Sequence, residues 1–417
     1  MVKCFEMSVM LLEQASNLGS LKKRWAAFSL TGSLILIGAF AWLYVAWEQP
    51  GAQRWLLASA FFFFYLSLLL WRGLGYNHRA GETHLLPTFG AGNQLTLLRG
   101  FLLAMLAGFL FLPRPAGLLG WLPGLLMTAI GAADLFDGYL ARRINHATRL
   151  GEMLDMQLDG LGLLLTTSLA IIYRQAPAWF LLVGLARFLF LAGIALRRRL
   201  DQPVFDLPPS AARRPFAGAM MGFTAVLLFP LFSPPATHLA AALFALPFLA
   251  GFTRDWLVVS GAVSANPSKP DISPGNHHGR PLEMVLSALR QHALLHWLPV
   301  LLRAVLVAGL LLKLANLVNA TTGRLEGLPA PGSGLIFGLL LIAAVLLAAG
   351  AAGRVGAVCA LFALGLQAQN SLPGAIDLSL ITSATALFFL GSGALSAWTP
   401  EERLIKKRLG ENLEPEA

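Results

Sequence analysis

Charge is scarce in this chain. Only 12% of the 417 residues are Asp, Glu, Lys or Arg, against about a quarter in soluble domains, which excludes a disordered chain and argues against an ordinary soluble one. Cysteine is nearly missing: Cys4 and Cys359 are the only two, far apart and in unlike surroundings. Neither a disulfide framework nor a cysteine-based metal site follows from them. The N-terminal basic region has no small-x-small cleavage site behind a short apolar core, so residues 1–26 are expected to be a cytoplasmic amphipathic segment and not a signal peptide. No internal repeat of fixed period is visible, which weakens a transporter built from inverted halves.

What the chain does have is apolar length. Hydrophobic residues make up 56% and the mean hydropathy is +0.67. Stretches such as Ser29–Trp47, Leu335–Gly350 and Leu378–Trp398 are almost free of charge and long enough to cross about 30 Å of hydrocarbon. The expected fold class is all-α, a polytopic helical membrane protein. Run length and breakers place about twelve spans, at 27–47, 55–72, 93–112, 118–142, 150–173, 177–197, 213–233, 237–259, 297–317, 333–350, 353–369 and 377–398. With the N-terminus inside, the inner segments hold most of the Lys and Arg. The outer loops receive only Arg54, Arg114, Arg174 and Arg324, so an N-in, C-in topology is expected. The net charge of +10 belongs to this sorting, and no nucleic-acid partner is expected.

The polar stretch Ser264–His296 is the clearest boundary. The expected organisation is an amphipathic segment (1–26), an accessory transmembrane hairpin (27–80), a six-helix domain (81–262), a polar cytoplasmic linker (263–296), a four-helix domain (297–408) and a tail (409–417). His277 and His278 in the linker do not make a metal cage and read as solvated loop. Lys313 and Asp377, near outer helix ends, are explained by snorkelling.

Carboxylates are costly at membrane depth and mark pathways or reaction centres. Four Asp fall within 26 residues: Asp134 and Asp137 at i,i+3, and Asp155 and Asp159 at i,i+4. Each pair shares one helix face, and the short basic turn Arg142–Arg149 brings the two helices together as antiparallel neighbours. Four facing carboxylates repel strongly unless a cation neutralises them. An all-oxygen donor set suits Mg²⁺, Mn²⁺ or Ca²⁺, and two bridged ions suit displacement at phosphorus. Pairing of these Asp with Arg142, Arg143 or Arg149 at a helix end is the bland alternative.

The run Asp134-Leu-Phe-Asp137-Gly138-Tyr-Leu-Ala141-Arg142, followed after eight residues by Gly151-Glu-Met-Leu-Asp155-Met-Gln-Leu-Asp159, resembles the CDP-alcohol phosphatidyltransferase signature D-x2-D-G-x2-A-R-x8-G-x3-D-x3-D at all its fixed positions. The resemblance extends over about residues 90–260 and includes Asn93-Gln-Leu95-Thr96-Leu-Leu-Arg99, similar to the family's Asn-x-Leu-Thr opening. It implies transfer of a substituted phosphate from a CDP-linked lipid donor, CDP-diacylglycerol-like, to an alcohol, with release of CMP. By that resemblance Asp134, Asp137 and Asp155 hold the metals, two Mg²⁺ or Mn²⁺ ions, and Asp159 is both a metal ligand and the general base. Gly138 gives the nucleotide access to backbone, Ala141 gives close helix approach, Arg142 meets donor phosphate, and Gly151 lets the two motif helices pack tightly.

Arg187 interrupts the apolar run Trp179–Leu196 and is expected to bind phosphate in the same cavity, with pairing to a motif Asp as the alternative. Arg213 and Arg214 are candidate acceptor or phosphate contacts, with topology control as the alternative. The acceptor is left open. The last four spans look like a DoxX-type membrane domain. A multi-pass protein of the plasma or inner membrane is expected, its site at the cytoplasmic edge, in a form compatible with a homodimer. The competing reading is a transporter or assembly subunit with an Asp-lined ion site.

Overall fold

The computed structural model describes residues 2–47, 49–79, 81–143, 148–207, 213–263, 297–322, 333–368, 374–391, 393 and 395–398. Among the described residues the fold is helical throughout, without strands. The α-helices among the described residues are α1 (Val2–Ala46), α2 (Gln49–Gly73), α3 (Gly90–Ala107), α4 (Leu122–Arg143), α5 (Arg149–Ile172), α6 (Leu181–Arg199), α7 (Arg213–Leu228), α8 (Ala236–Val259), α9 (Leu298–Thr322), α10 (Ser333–Ala349), α11 (Gly353–Gln367) and α12 (Ala375–Leu390). Among the described residues seven helical stretches are long and apolar enough to cross a membrane, and four shorter apolar helices accompany them. Exposed side chains such as Leu30, Leu34, Phe61 and Phe64 put apolar surface outward on α1 and α2, which suits contact with lipid. This is a membrane protein.

One element differs from expectation. The segment 1–26 is not separate from the first span: α1 runs unbroken from Val2 to Ala46. No Gly or Pro interrupts it between Leu21 and Leu30, and Leu21 and Trp25 already pack with Leu70 and Phe89. Burial therefore begins a full turn before the hydropathy rises.

The chain divides into two compact units, one of residues 1–193 and 219–231, the other of residues 194–218 and 232–417. In the first, α3 packs against α2, α4 and α5. Its core centres on the fully buried Trp55, Leu106, Phe109 and Leu169, and Trp55 Nε1 donates to the Met105 carbonyl at 3.1 Å. Helix α3 is thus the fixed inner element against which the two Asp-bearing helices are set.

In the second unit α9–α12 bury Leu306, Leu310, Leu340, Leu364 and Leu387. Buried Arg303 donates to the carbonyls of Leu347 (3.1 Å) and Leu395 (3.2 Å), satisfying the end of α10 and tying down the returning chain. Lys313 and Asp377 do not snorkel separately. They form an ion pair, and Lys313 also donates to Gln367 Oε1 at 3.1 Å. The polar linker 264–296 lies outside the described residues.

Candidate metal and phosphate site

The N-terminus of α5 is set by Thr148. Its extended backbone (φ −121°, ψ 155°) stops the helix from beginning earlier, and its Oγ1 accepts from the Gly151 amide at 3.1 Å, an N-cap worth about 1 kcal/mol. Thr148 also accepts from Asn93 Nδ2 on α3 at 2.8 Å. A Cβ on Gly151 would collide with Asn93 Oδ1. The motif glycine thus serves the approach of α3 to the α5 cap.

From that cap, seven and eleven residues on, Asp155 and Asp159 reach the cluster. Together with Asp134 of α4 they place carboxylate oxygens within 4.8 Å of one another. Beneath them lies Arg99 of α3. Its Nη1 donates to Asp134 Oδ1 (2.5 Å) and Asp155 Oδ1 (2.7 Å), and its Nη2 to Asp159 Oδ1 (2.6 Å). The Arg99 side chain is 3% exposed, whereas the three Asp side chains are 37%, 48% and 39% exposed. The guanidinium is therefore the floor of the site, and the carboxylates open on the side away from it. Charge-assisted bonds of this length are strong, and a planar fork can serve several oxygens at once.

Arg187 of α6 stands beside the cluster. Its Cδ packs 3.2 Å from where a Cβ on Gly160 would lie, and its charge acts on Asp159. Among the described residues it makes no ion pair with the three Asp. Arg213 behaves otherwise. Its Nε and Nη2 bind Asp255 of α8 at 2.7 and 3.1 Å, a bidentate pair that gives it a structural partner. Asp137, Gly138, Ala141 and Arg142 lie on α4 downstream of Asp134, and Arg214 opens α7, but their side chains fall outside the described residues.

Arg99 closes the Asn93–Arg99 run in the sequence but was given no role there. It interrupts an apolar helix just as Arg187 does, and the same argument from cost at membrane depth applies to it.

Residues 89–258 match the family model described as CDP-alcohol phosphatidyltransferase. This segment is similar to that family. Among curated relatives, a "Putative cardiolipin synthase" of Mycobacterium tuberculosis (strain H37Rv) is 31% identical over 137 residues, 33% of this chain and 63% of that protein. The "Cardiolipin synthase (CMP-forming)" of Streptomyces coelicolor is 36% identical over 115 residues, 27% of this chain and 49% of that protein. The chain thus spans less than two thirds of the relatives it matches. No solved structure matches it significantly. The match covers α3 to α8 and contains Arg99 with all three described Asp. The hairpin α1–α2 and the α9–α12 bundle lie outside it, and no comparison supports the DoxX-like reading of the bundle.

Proposed function

We propose that the phosphatidyltransferase segment transfers a substituted phosphate from a CDP-linked lipid donor to an alcohol and releases CMP, as a step of phospholipid synthesis. The observation that carries this reading is the convergence of Asp134, Asp155 and Asp159 above Arg99 within the matched segment.

The donor set fits a hard divalent cation. It is all oxygen, and with three ionised carboxylates and one guanidinium its formal charge is −2, the complement of one such ion. Asp134, Asp155 and Asp159 would hold Mg²⁺ or Mn²⁺, and Asp137, from the same face of α4, would complete a second site. When bound, such ions neutralise charge on the donor's pyrophosphate.

The chain's own groups supply the rest. Arg99 fixes the carboxylates from below. Arg187 meets a phosphate oxygen. Asp159 accepts the proton of the acceptor hydroxyl as its oxygen forms the new bond to phosphorus and the bond to CMP breaks. Arg142, Gly138 and Ala141 serve the nucleotide side. The names of the relatives favour an acceptor that is itself a glycerophospholipid, since a cardiolipin-type product joins two phosphatidyl groups through glycerol. We place the site at the cytoplasmic edge of the plasma or inner membrane, where the basic residues gather.

Incubating the purified chain with labelled CDP-diacylglycerol and separate acceptors (phosphatidylglycerol, glycerol phosphate, inositol phosphate, serine) tests this reading. Release of CMP with one acceptor supports it, and with phosphatidylglycerol supports the acceptor class. No release with any, from folded protein, overturns it.

A further inference from the structure

The hairpin α1–α2 lies outside the family segment, yet it is wired to the acidic site. Residues 77–79 and 81–88 form a strap between α2 and α3. Asn77, wholly buried, closes the strap on itself: its Nδ2 donates to the carbonyls of Leu86 and Thr88, both at 2.9 Å, and its own carbonyl accepts from the Leu86 amide at 2.8 Å. Its Oδ1 accepts from Asn93 Nδ2 at 3.2 Å. The same Asn93 amide group reaches Thr148 Oγ1, which caps α5. Alongside, the Arg149 amide donates to the His78 carbonyl at 3.0 Å, and Arg79 and Thr148 form a bridge.

On its outer side the strap is held by α1. Asn17 Nδ2 donates to the Leu85 carbonyl at 2.9 Å, Gln14 Nε2 to the Thr83 carbonyl at 3.4 Å, and Glu13 pairs with His84 at 3.2 Å. A continuous polar path therefore runs from α1 through Asn77 and Asn93 to the cap of α5. Two and three turns further along α5 stand Asp155 and Asp159. Such a path is costly to build among apolar helices and is nearly fully satisfied, so it specifies one arrangement. A shift of the α5 cap would carry both carboxylates away from Asp134 and Arg99.

Building on the metal-dependent site proposed above, we infer that the N-terminal hairpin and its strap are a positioning device for that site, with Asn77 and Thr148 as positioning residues that set the place of Asp155 and Asp159. The role is geometric: neither residue touches the cluster. Partners that orient metal ligands typically cost 10–100-fold in metal affinity when removed.

The test measures Mn²⁺ affinity by the free-ion paramagnetic signal, on the full chain in detergent, beside thermal stability and CMP release. Asn77→Ala and Thr148→Val are expected to weaken Mn²⁺ binding about tenfold or more, while Thr148→Ser, which keeps the hydroxyl, retains wild-type affinity. If Asn77→Ala does not fold, the Thr148 pair still decides, because it isolates the hydroxyl. Wild-type Mn²⁺ affinity in Asn77→Ala and Thr148→Val, whatever happens to stability, overturns the inference alone. A wild-type chain that binds no Mn²⁺ overturns the proposed function and this inference with it.

Discussion

Arg99 Nη2 lies 2.6 Å from Asp159 Oδ1, and the same guanidinium reaches Asp134 and Asp155 through Nη1. One nearly inaccessible cation thus organises three half-open carboxylates from two other helices. The arrangement explains how acidic side chains at membrane depth are kept together without neutralising the site entirely.

Replacing Arg99 tests that role. Arg99→Met leaves three carboxylates facing one another without their partner, and breaking a buried ion pair costs about 3 kcal/mol or more. Thermal stability in detergent should fall and CMP release should be lost. Arg99→Lys, with a point charge in place of a planar fork, should recover part of the stability and little of the activity. A stable, active Arg99→Met protein would show that the guanidinium is dispensable.

Asp159→Asn keeps size and shape but removes the basicity needed to accept the hydroxyl proton. General-base assistance is worth on the order of 10²–10⁴-fold, so single-turnover CMP release should drop by that much while donor binding is largely kept. Asp134→Asn should instead weaken metal and donor binding first. Wild-type release by Asp159→Asn at saturating acceptor removes Asp159 from the role of base.

The expected orientation can be checked next to the site. Glu152 sits in the first turn of α5 with its side chain 59% exposed. With Cys4 and Cys359 replaced, Glu152→Cys should react with an impermeant thiol reagent only after the membrane is opened. Labelling in intact cells would place the acidic site on the outer face.

The Lys313–Asp377 pair in the second unit is a separate test of packing. Removing either partner alone should cost about 1–3 kcal/mol, because the other is left half-buried without its counter-charge. The double replacement Lys313→Met with Asp377→Leu should recover most of that loss, measured as thermal stability of the three variants. Equal losses that simply add would mean that the two side chains do not act as a pair.

The helices were legible because their apolar runs are long and are broken by Gly, Pro and basic clusters. The Asp cluster was legible because carboxylates in such runs are rare enough to count. Arg99 was given no role although it stands in an equally apolar helix: a single cation carries no spacing pattern, and only the fold shows which helix lies beneath the acidic pair. The strap was opaque for another reason. Asn77, Asn93 and Thr148 are ordinary polar residues at ends and turns, and their bonds join positions 16 and 55 residues apart. Lys313 and Asp377 read singly as snorkelling groups because nothing local relates two residues on helices α9 and α12. Arg213 read as an acceptor contact since its partner Asp255 lies 42 residues away. Polar contacts between distant segments depend on packing, which periodicity does not encode.

The central claim is that the three-Asp site above Arg99 performs metal-dependent transfer from a CDP-linked lipid. Its most direct test is CMP release from CDP-diacylglycerol by the purified full chain, with acceptor, titrated with Mg²⁺ or Mn²⁺ and then with excess EDTA. The account predicts release that rises with the cation, needs the acceptor, stops with EDTA and is missing from Asp134→Asn. Full turnover in excess EDTA, or no release from folded protein with any acceptor, would contradict it.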